Sequence, residues 1–382
     1  MKMRWARLLL LKTLAAGVLG CGCQPTSPPP APALPPGASL IEARNGKIPP
    51  LTLEFQQEDP DQPRLKLLRE REGLDQVVAG AKDELEVFTR LCDWTNAQWQ
   101  NSTPNPYPPW DALFILDWIR AGKTGGFCAQ YAVVLVQAGL SLGYSARYLA
   151  VAPEKGEDSG HLTVEVWSNQ YDKWVVIDPF FNARYEREGL PLSGLEVHQA
   201  LVQGKAKQVR VIRGQGGNGE KNSKASEQEM IGYYFHLAAD LRNNHLSRPL
   251  PFWDRRQGYL SWQDSFTQGR PRIFGRFTRD PEAFNFPLNQ VEAEFEPAGP
   301  ARLRVRLRTA MVKFQEFEVQ PDPGSARRLR LEDPLIGLDP LQGSVLVYEW
   351  PLKPGENTLT VRSRNAKGIS GPAAFLRISF QP

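Results

Sequence analysis

The sequence predicts an α+β protein in which helices pack on an antiparallel sheet and an all-β segment follows. Three observations carry this. Apolar residues recur at helical spacing between Leu74 and Leu142, short β-branched and aromatic runs separated by polar turns fill Ser145 to Ile177, and from about residue 289 onward apolar and charged side chains alternate. At 382 residues the chain can bury a sizeable core in two or three domains. With 46 basic and 42 acidic residues, a net charge of +4, nothing at whole-chain level calls for nucleic acid as a partner.

Residues 1–20 read as an export signal: Lys2, Arg4, Arg7 and Lys12 supply positive charge, and Leu8 to Leu19 is mostly apolar but too short to span a membrane comfortably. The run ends in Val18-Leu19-Gly20-Cys21, which resembles the bacterial lipoprotein signal. Cleavage before Cys21 and lipidation of that cysteine are therefore expected, with an ordinary secretory signal as the rival. The protein would then be exported and lipid-anchored in the bacterial cell envelope, on the periplasmic or outer-surface side. Cys23, Cys92 and Cys128 remain, an odd number that argues against a disulfide framework, although a Cys92–Cys128 pair stays open.

Residues 21–50, rich in Pro, Ala and Ser, are expected to form an extended tether. Residues 51–190 read as one α+β domain, which carries the reactive groups described below. It should open with a short strand, Leu51 to Phe55, followed by one or two amphipathic helices between Leu74 and Gln100. Prolines in Ser102 to Pro109 force an irregular loop, and a helix over Trp110 to Ile119 follows. Phe127 to Leu142 has few charges and reads as a buried helix. Strands are expected over Ser145–Val151, Leu162–Trp167 and Lys173–Ile177.

Residues 191–288 read as a helical, aromatic-rich extension, with helices over Leu190 to Gln203 and Ile231 to Asn243 and a mobile loop near 214–228, which holds scarcely an apolar residue. Its aromatics, Tyr233, Tyr234, Phe235, Phe252, Trp253, Tyr259 and Trp262, are expected as core, with a cleft wall as the other reading. In 289–382, Leu303, Val305 and Leu307 face one way and Arg302, Arg304, Arg306 and Arg308 the other, the pattern of a half-buried strand in an immunoglobulin-like β-sandwich. The arginine row reads as a solvated face, with a grip on anionic wall polymer or lipid headgroups as the alternative.

Three reactive groups are set in apolar surroundings. Cys128 follows Gly125 and Gly126 at the start of the Phe127–Leu142 helix, His161 opens a strand, and Asp178 ends the next strand before Pro179. A thiol becomes a strong nucleophile once an imidazole takes its proton, and a carboxylate on the second ring nitrogen fixes the tautomer. Free amides at a helix start can hold the negative oxygen of a tetrahedral intermediate. Each residue also has a plain reading: a small core cysteine, a satisfied strand-edge histidine, an Asp-Pro turn.

Four stretches stand in order: Gly126-Phe-Cys128-Ala-Gln-Tyr131-Ala132, Gly143-Tyr-Ser-Ala-Arg147-Tyr, His161-Leu-Thr-Val-Glu165-Val-Trp167 and Trp174-Val-Val-Ile-Asp178-Pro179. Here, from about Ala81 to Asn182, the chain resembles the transglutaminase-like superfamily of cysteine enzymes, which has a papain-like arrangement of Cys, His and Asp. The resemblance implies a transglutaminase-like (papain-like) core with Cys128 as nucleophile, His161 as base and Asp178 as orienting acid. It also implies an upstream oxyanion donor, for which Trp99, then Gln98 and Trp94, are the candidates. The activity implied is that of a cysteine acyltransferase or amidase/peptidase working on protein or peptide amides, cell-wall peptide included, through a thioester at Cys128. A catalytically silent surface adaptor that binds a protein or cell-wall partner is the alternative, and a polysaccharide-binding protein a weaker one. No metal or cofactor is expected: His198, His236 and His245 lack partners at ligand spacing, and no calcium loop is visible.

Overall fold

The computed structural model describes residues 34–155, 160–249, 258–268, 275–322, 324–330, 337–339 and 343–382. The export signal, the lipidation expected at Cys21, the first part of the tether, and Phe252 and Trp253 lie outside the described residues. The first elements are β1 (Ala38–Arg44), α1 (Pro50–Glu54), α2 (Pro63–Arg71), α3 (Leu74–Val77), α4 (Glu84–Ala97), α5 (Ala112–Arg120) and α6 (Cys128–Ser141). Next come β2 (Ala146–Ala152), β3 (His161–Ser168), β4 (Lys173–Asp178), β5 (Ala183–Arg187), β6 (Leu190–Pro191), α7 (Gly194–Val202) and β7 (Arg210–Arg213). They are followed by α8 (Gly219–Asn222), α9 (Glu227–Gly232), β8 (His236–Asp240), β9 (Tyr259–Trp262), β10 (Arg276–Thr278) and α10 (Pro281–Phe284). The remainder is strand: β11 (Glu292–Gly299), β12 (Arg302–Thr309), β13 (Phe314–Asp322), β14 (Arg327–Arg330), β15 (Gly337–Asp339), β16 (Gly343–Pro351), β17 (Gly355–Asn365) and β18 (Ala374–Phe380).

A nine-stranded sheet in the order β10-β9-β8-β2-β3-β4-β5-β6, with β7 also on β5, divides two apolar layers. Tyr148, Val164, Val166, Val175 and Ile177 face the layer formed with α2, α4, α5 and α6. Their neighbours Leu149, Trp167, Trp174 and Val176 face a second layer built from α7, α9 and the segment from Phe284 to Leu288. A sheet covered on both faces needs apolar residues at successive positions, which is why β4 reads Trp-Val-Val-Ile without alternation. In α6 every residue from Ala129 to Ser141 is buried, as befits a central helix, and Cys128 alone is half-buried.

Several expectations are corrected. Leu51 to Phe55 is not a strand: Pro50 starts the five-residue α1, too short to display a helical period. Residues 231–243 are not one helix; after the 3₁₀ turn Tyr233–Phe235 the chain becomes β8, whose Ala239 lies opposite Leu149 of β2. Burial at the centre of the sheet outweighs the helical preference of Leu and Ala there. The boundary at residue 190 does not divide the structure, because β8 and β9 extend the sheet that β2 to β4 begin. The aromatics Tyr234, Phe235, Tyr259 and Trp262 are buried, and Tyr233 is half-buried beside the site described below.

The C-terminal strands form two sheets, β11-β12-β16-β15 and β1-β18-β17-β13-β14, around a core that includes Leu303, Val305, Phe317, Leu359 and Ile378. Residues 38–44, expected within the tether, are an edge strand of this sandwich, with Ala38 opposite Phe380 and Leu40 opposite Ile378. The arginine row is not a free cationic face: Glu292, Glu294 and Glu296 lie opposite Arg308, Arg306 and Arg304, and Glu349 opposite Arg304. Sandwich and nine-stranded part meet where Asn365 donates to the Gly143 carbonyl just beyond α6 (3.1 Å) and Ser363 to the Asn289 carbonyl (2.6 Å).

Candidate active site

Cys128 is the first residue of α6, where the amides of the opening turn have no intrahelical acceptor. The helix start is fastened by Gln130, whose Oε1 accepts from the Phe127 amide at 3.1 Å. Gly126 is required for close approach: a Cβ there would come within 2.7 Å of the Trp99 indole nitrogen and 2.8 Å of Ile119. Two successive glycines suggest a sharp turn. Instead they let the cysteine loop press against the segment that follows α4, where the Ser102 amide donates to the Gly126 carbonyl at 2.9 Å.

The β3–β4 register, with Val164 opposite Ile177, makes His161 and Asp178 diagonal neighbours on one face. Nε2 of His161 meets Oδ2 of Asp178 at 2.7 Å. Oδ1 of Asp178 accepts from the Phe180 and Phe181 amides, each at 3.1 Å, so both oxygens of this fully buried carboxylate are engaged. With Nε2 committed, Nδ1 is the ring nitrogen left for the Cys128 thiol, which lies within hydrogen-bonding reach of the imidazole. Burial works to lower the pKa of His161, but the charge and hydrogen bond of Asp178, with a smaller contribution from Cys128, outweigh it and raise it to about 10. Phe180, Phe181 and Tyr233 surround the imidazole, with ring centroids 5.5, 5.0 and 5.5 Å away.

Cys92 behaves differently. It is a free thiol, as is Cys128, so the two are not paired. Its sulfur donates to the Asp178 carbonyl at 3.4 Å, and burial, with the nearby charges of Asp178 and Asp93, pushes its pKa well up. That environment suits a core thiol rather than a nucleophile.

Of the three residues considered for an oxyanion, Trp99 stands at the site, stacked on Tyr131 with ring centroids 4.1 Å apart. Its indole N–H is committed to the Gly126 carbonyl at 3.2 Å, so it braces the cysteine loop. Gln98 turns away: its amide donates to the Trp94 carbonyl at 2.9 Å and its oxygen accepts from Arg120 at 2.6 Å. Trp94 packs against the helical core. The first-turn amides of α6 at Cys128 and Ala129 are donors without an intrahelical acceptor beside the thiol.

Sequence reasoning missed Tyr131, Asn96, Asn218 and Asn222. The Tyr131 hydroxyl donates to the Trp99 carbonyl at 2.5 Å. The asparagines tie the segment 214–222 across the site loops: Gly219 and Asn222 are buried, while Gln215, Gly216, Gly217, Glu220 and Lys221 are exposed, as the loop reading expected. Asn218 donates through its backbone to Asn96 and through its side chain to the Trp99 carbonyl (2.6 Å). The signal was present as Gly-Gly-Asn-Gly at 216–219: a Cβ on Gly217 would collide with the Asn96 side chain.

Residues 72–179 match the family model described as the transglutaminase-like superfamily. Among solved structures, the crystal structure of red sea bream transglutaminase aligns over 84% of this chain and 72% of its own, at 11% identity and a TM-score of 0.24. No curated protein matches the chain. The matched segment ends one residue past Asp178 and holds Cys128 and His161 within it; residues 72–179 are a domain of the transglutaminase-like superfamily.

Proposed function

We propose that the protein is an extracytoplasmic, membrane-tethered cysteine acyltransferase or amidase that acts on protein or peptide amides through a thioester on Cys128. The transglutaminase-like domain suggests a cysteine-based acyl-transfer or peptidase-type activity. The observation that supports it best is the placement of His161, bound to Asp178 at 2.7 Å and within reach of the Cys128 thiol at the head of α6. In this reading the thiol proton already rests on Nδ1 of His161, which stands as the imidazolium, and the sulfur attacks the acyl carbon as the thiolate. The tetrahedral oxyanion rests on the amides of Cys128 and Ala129, donors that in other enzymes are worth about 3 kcal/mol each. The carbon–nitrogen bond breaks, the imidazolium gives its proton to the leaving amine, and a thioester remains. Water or a second amine then resolves it, with His161 as base. Export and tethering rest on Met1 to Cys21; among the described residues no helix is long and apolar enough to cross a membrane.

Iodoacetamide at neutral pH should alkylate Cys128 at least about tenfold faster than Cys92. Mass spectrometry after exposure to a cell-envelope extract should find an acyl adduct on Cys128 that Cys128→Ser lacks. Equal alkylation rates together with no adduct would remove the enzyme reading and leave the silent adaptor, whose partner binding Cys128→Ser would preserve.

A further inference from the structure

We infer that Asn222 is a positioning residue of the cysteine site, holding the turn after Asp178 and thereby the contact between Asp178 and His161. This rests on the reading of Cys128, His161 and Asp178 as the reacting groups. The Asn222 side chain, 7% exposed, uses both ends of its amide. Nδ2 donates to the Phe180 carbonyl at 3.0 Å, and Oδ1 accepts from the Asn101 amide at 2.7 Å. It thus links the loop after α4, which carries Trp99, to the loop after β4, which carries Phe180.

The consequence for chemistry lies in one peptide plane. The Phe180 carbonyl receives Asn222 at 3.0 Å and Asn96 at 3.0 Å, and Asn96 also donates to the Pro179 carbonyl at 2.8 Å. The Phe181 N–H, the other end of that rigid unit, donates to Oδ1 of Asp178 at 3.1 Å. Fixing the carbonyl therefore aims the N–H, which occupies one carboxylate oxygen and leaves the other for His161. Asparagine alone among residues of its size offers a donor and an acceptor on one planar group without charge, so neither Asp nor Leu could replace it here. The main hydrogen bond of Tyr131 goes to the Trp99 carbonyl, and its hydroxyl also lies 3.4 Å from Oδ1 of Asn222, so the same point touches the cysteine helix.

The test is the titration of the His161 ring, followed by NMR in the full chain with labelled histidine and assigned through His161→Gln, in wild type, Asn222→Ala and the milder Asn222→Ser. Melting curves confirm that the variants are folded. Loss of the clip should lower the His161 midpoint by about one pH unit and slow Cys128 alkylation at neutral pH by about tenfold. An unchanged midpoint and an unchanged pH profile of alkylation in a folded variant would overturn the inference, whatever the fall in melting temperature, and leave Asn222 a purely structural tie. If Asn222→Ala does not fold, Asn222→Ser decides. Failure of the activity itself reads differently: wild-type Cys128 would then alkylate no faster than Cys92, while a moved His161 midpoint would still establish the positioning role.

Discussion

Asp178 divides its labour between two oxygens, one on the backbone of its own turn and one on His161, and its charge is the main influence that keeps the imidazole protonated against the cost of burial. Because the folded pKa of His161, about 10, lies above the unfolded 6.5, the imidazolium adds stability that is present in full below about pH 6.5 and lost as pH rises through 10. Asp178→Asn removes that charge. Thermal melts of the two proteins should differ most at mildly acidic to neutral pH and converge above pH 10, and acyl transfer should fall by about a hundredfold or more at neutral pH. Convergence at low pH instead would show that His161 is not the linked group. At this scale Cys128, His161 and Asp178 were legible because each sits where a long apolar element begins or ends. The asparagines were not: their partners lie forty to more than a hundred residues away, and polar residues in a glycine-rich stretch look the same whether they face water or a buried carbonyl.

Among the elements, β2 and β3 hold a fully buried ion pair. Arg147 stands directly opposite Glu165, the two meet at 2.6 Å with neither exposed, and the guanidinium lies 4.2 Å from the Trp174 ring centroid. Glu165 also accepts from the Gly194 amide at 2.7 Å, and Arg147 donates to the Phe284 carbonyl at 2.9 Å, so the pair ties the sheet to the layer behind it. Glu165→Ala should cost about 3 to 5 kcal/mol in chemical denaturation, since it strands a buried cation. The double substitution Arg147→Met, Glu165→Leu should recover most of that loss; a double variant as unstable as the single one would show that packing, not charge, is the issue. Both residues lie in the stretches that pointed to the family, yet their pairing follows only from strand register. The arginine row of β12 carried a readable clue, because Glu292-Ala-Glu-Phe-Glu296 alternates in antiphase shortly before it. Such exposed pairs each contribute about 0 to 1 kcal/mol, so the ladder neutralises the face more than it stabilises it.

At the scale of the molecule, the sequence suggested a tether, a catalytic domain, an extension and a sandwich in succession. In the structure the described residues, from Leu34 onward, form one compact unit, in which the extension supplies the back layer of the nine-stranded sheet and residues 38–44 complete the sandwich. The reason is non-local pairing, which local periodicity cannot reveal: β1 finds β18 more than three hundred residues away. That pairing has a mechanical meaning. Tension arriving from the chain upstream of residue 38 is delivered first to the β1–β18 ladder at the sandwich edge, in a different sheet from the strands that carry His161 and Asp178. In single-molecule pulling from an N-terminal handle, with the body held by its surface, rupture of this ladder should appear as the first, low-force event while alkylation of Cys128 continues unaltered. If the nine-stranded sheet yielded first, load would be reaching the reactive centre directly. Otherwise the edge strand acts as a fuse that gives way under strain and spares the chemistry behind it.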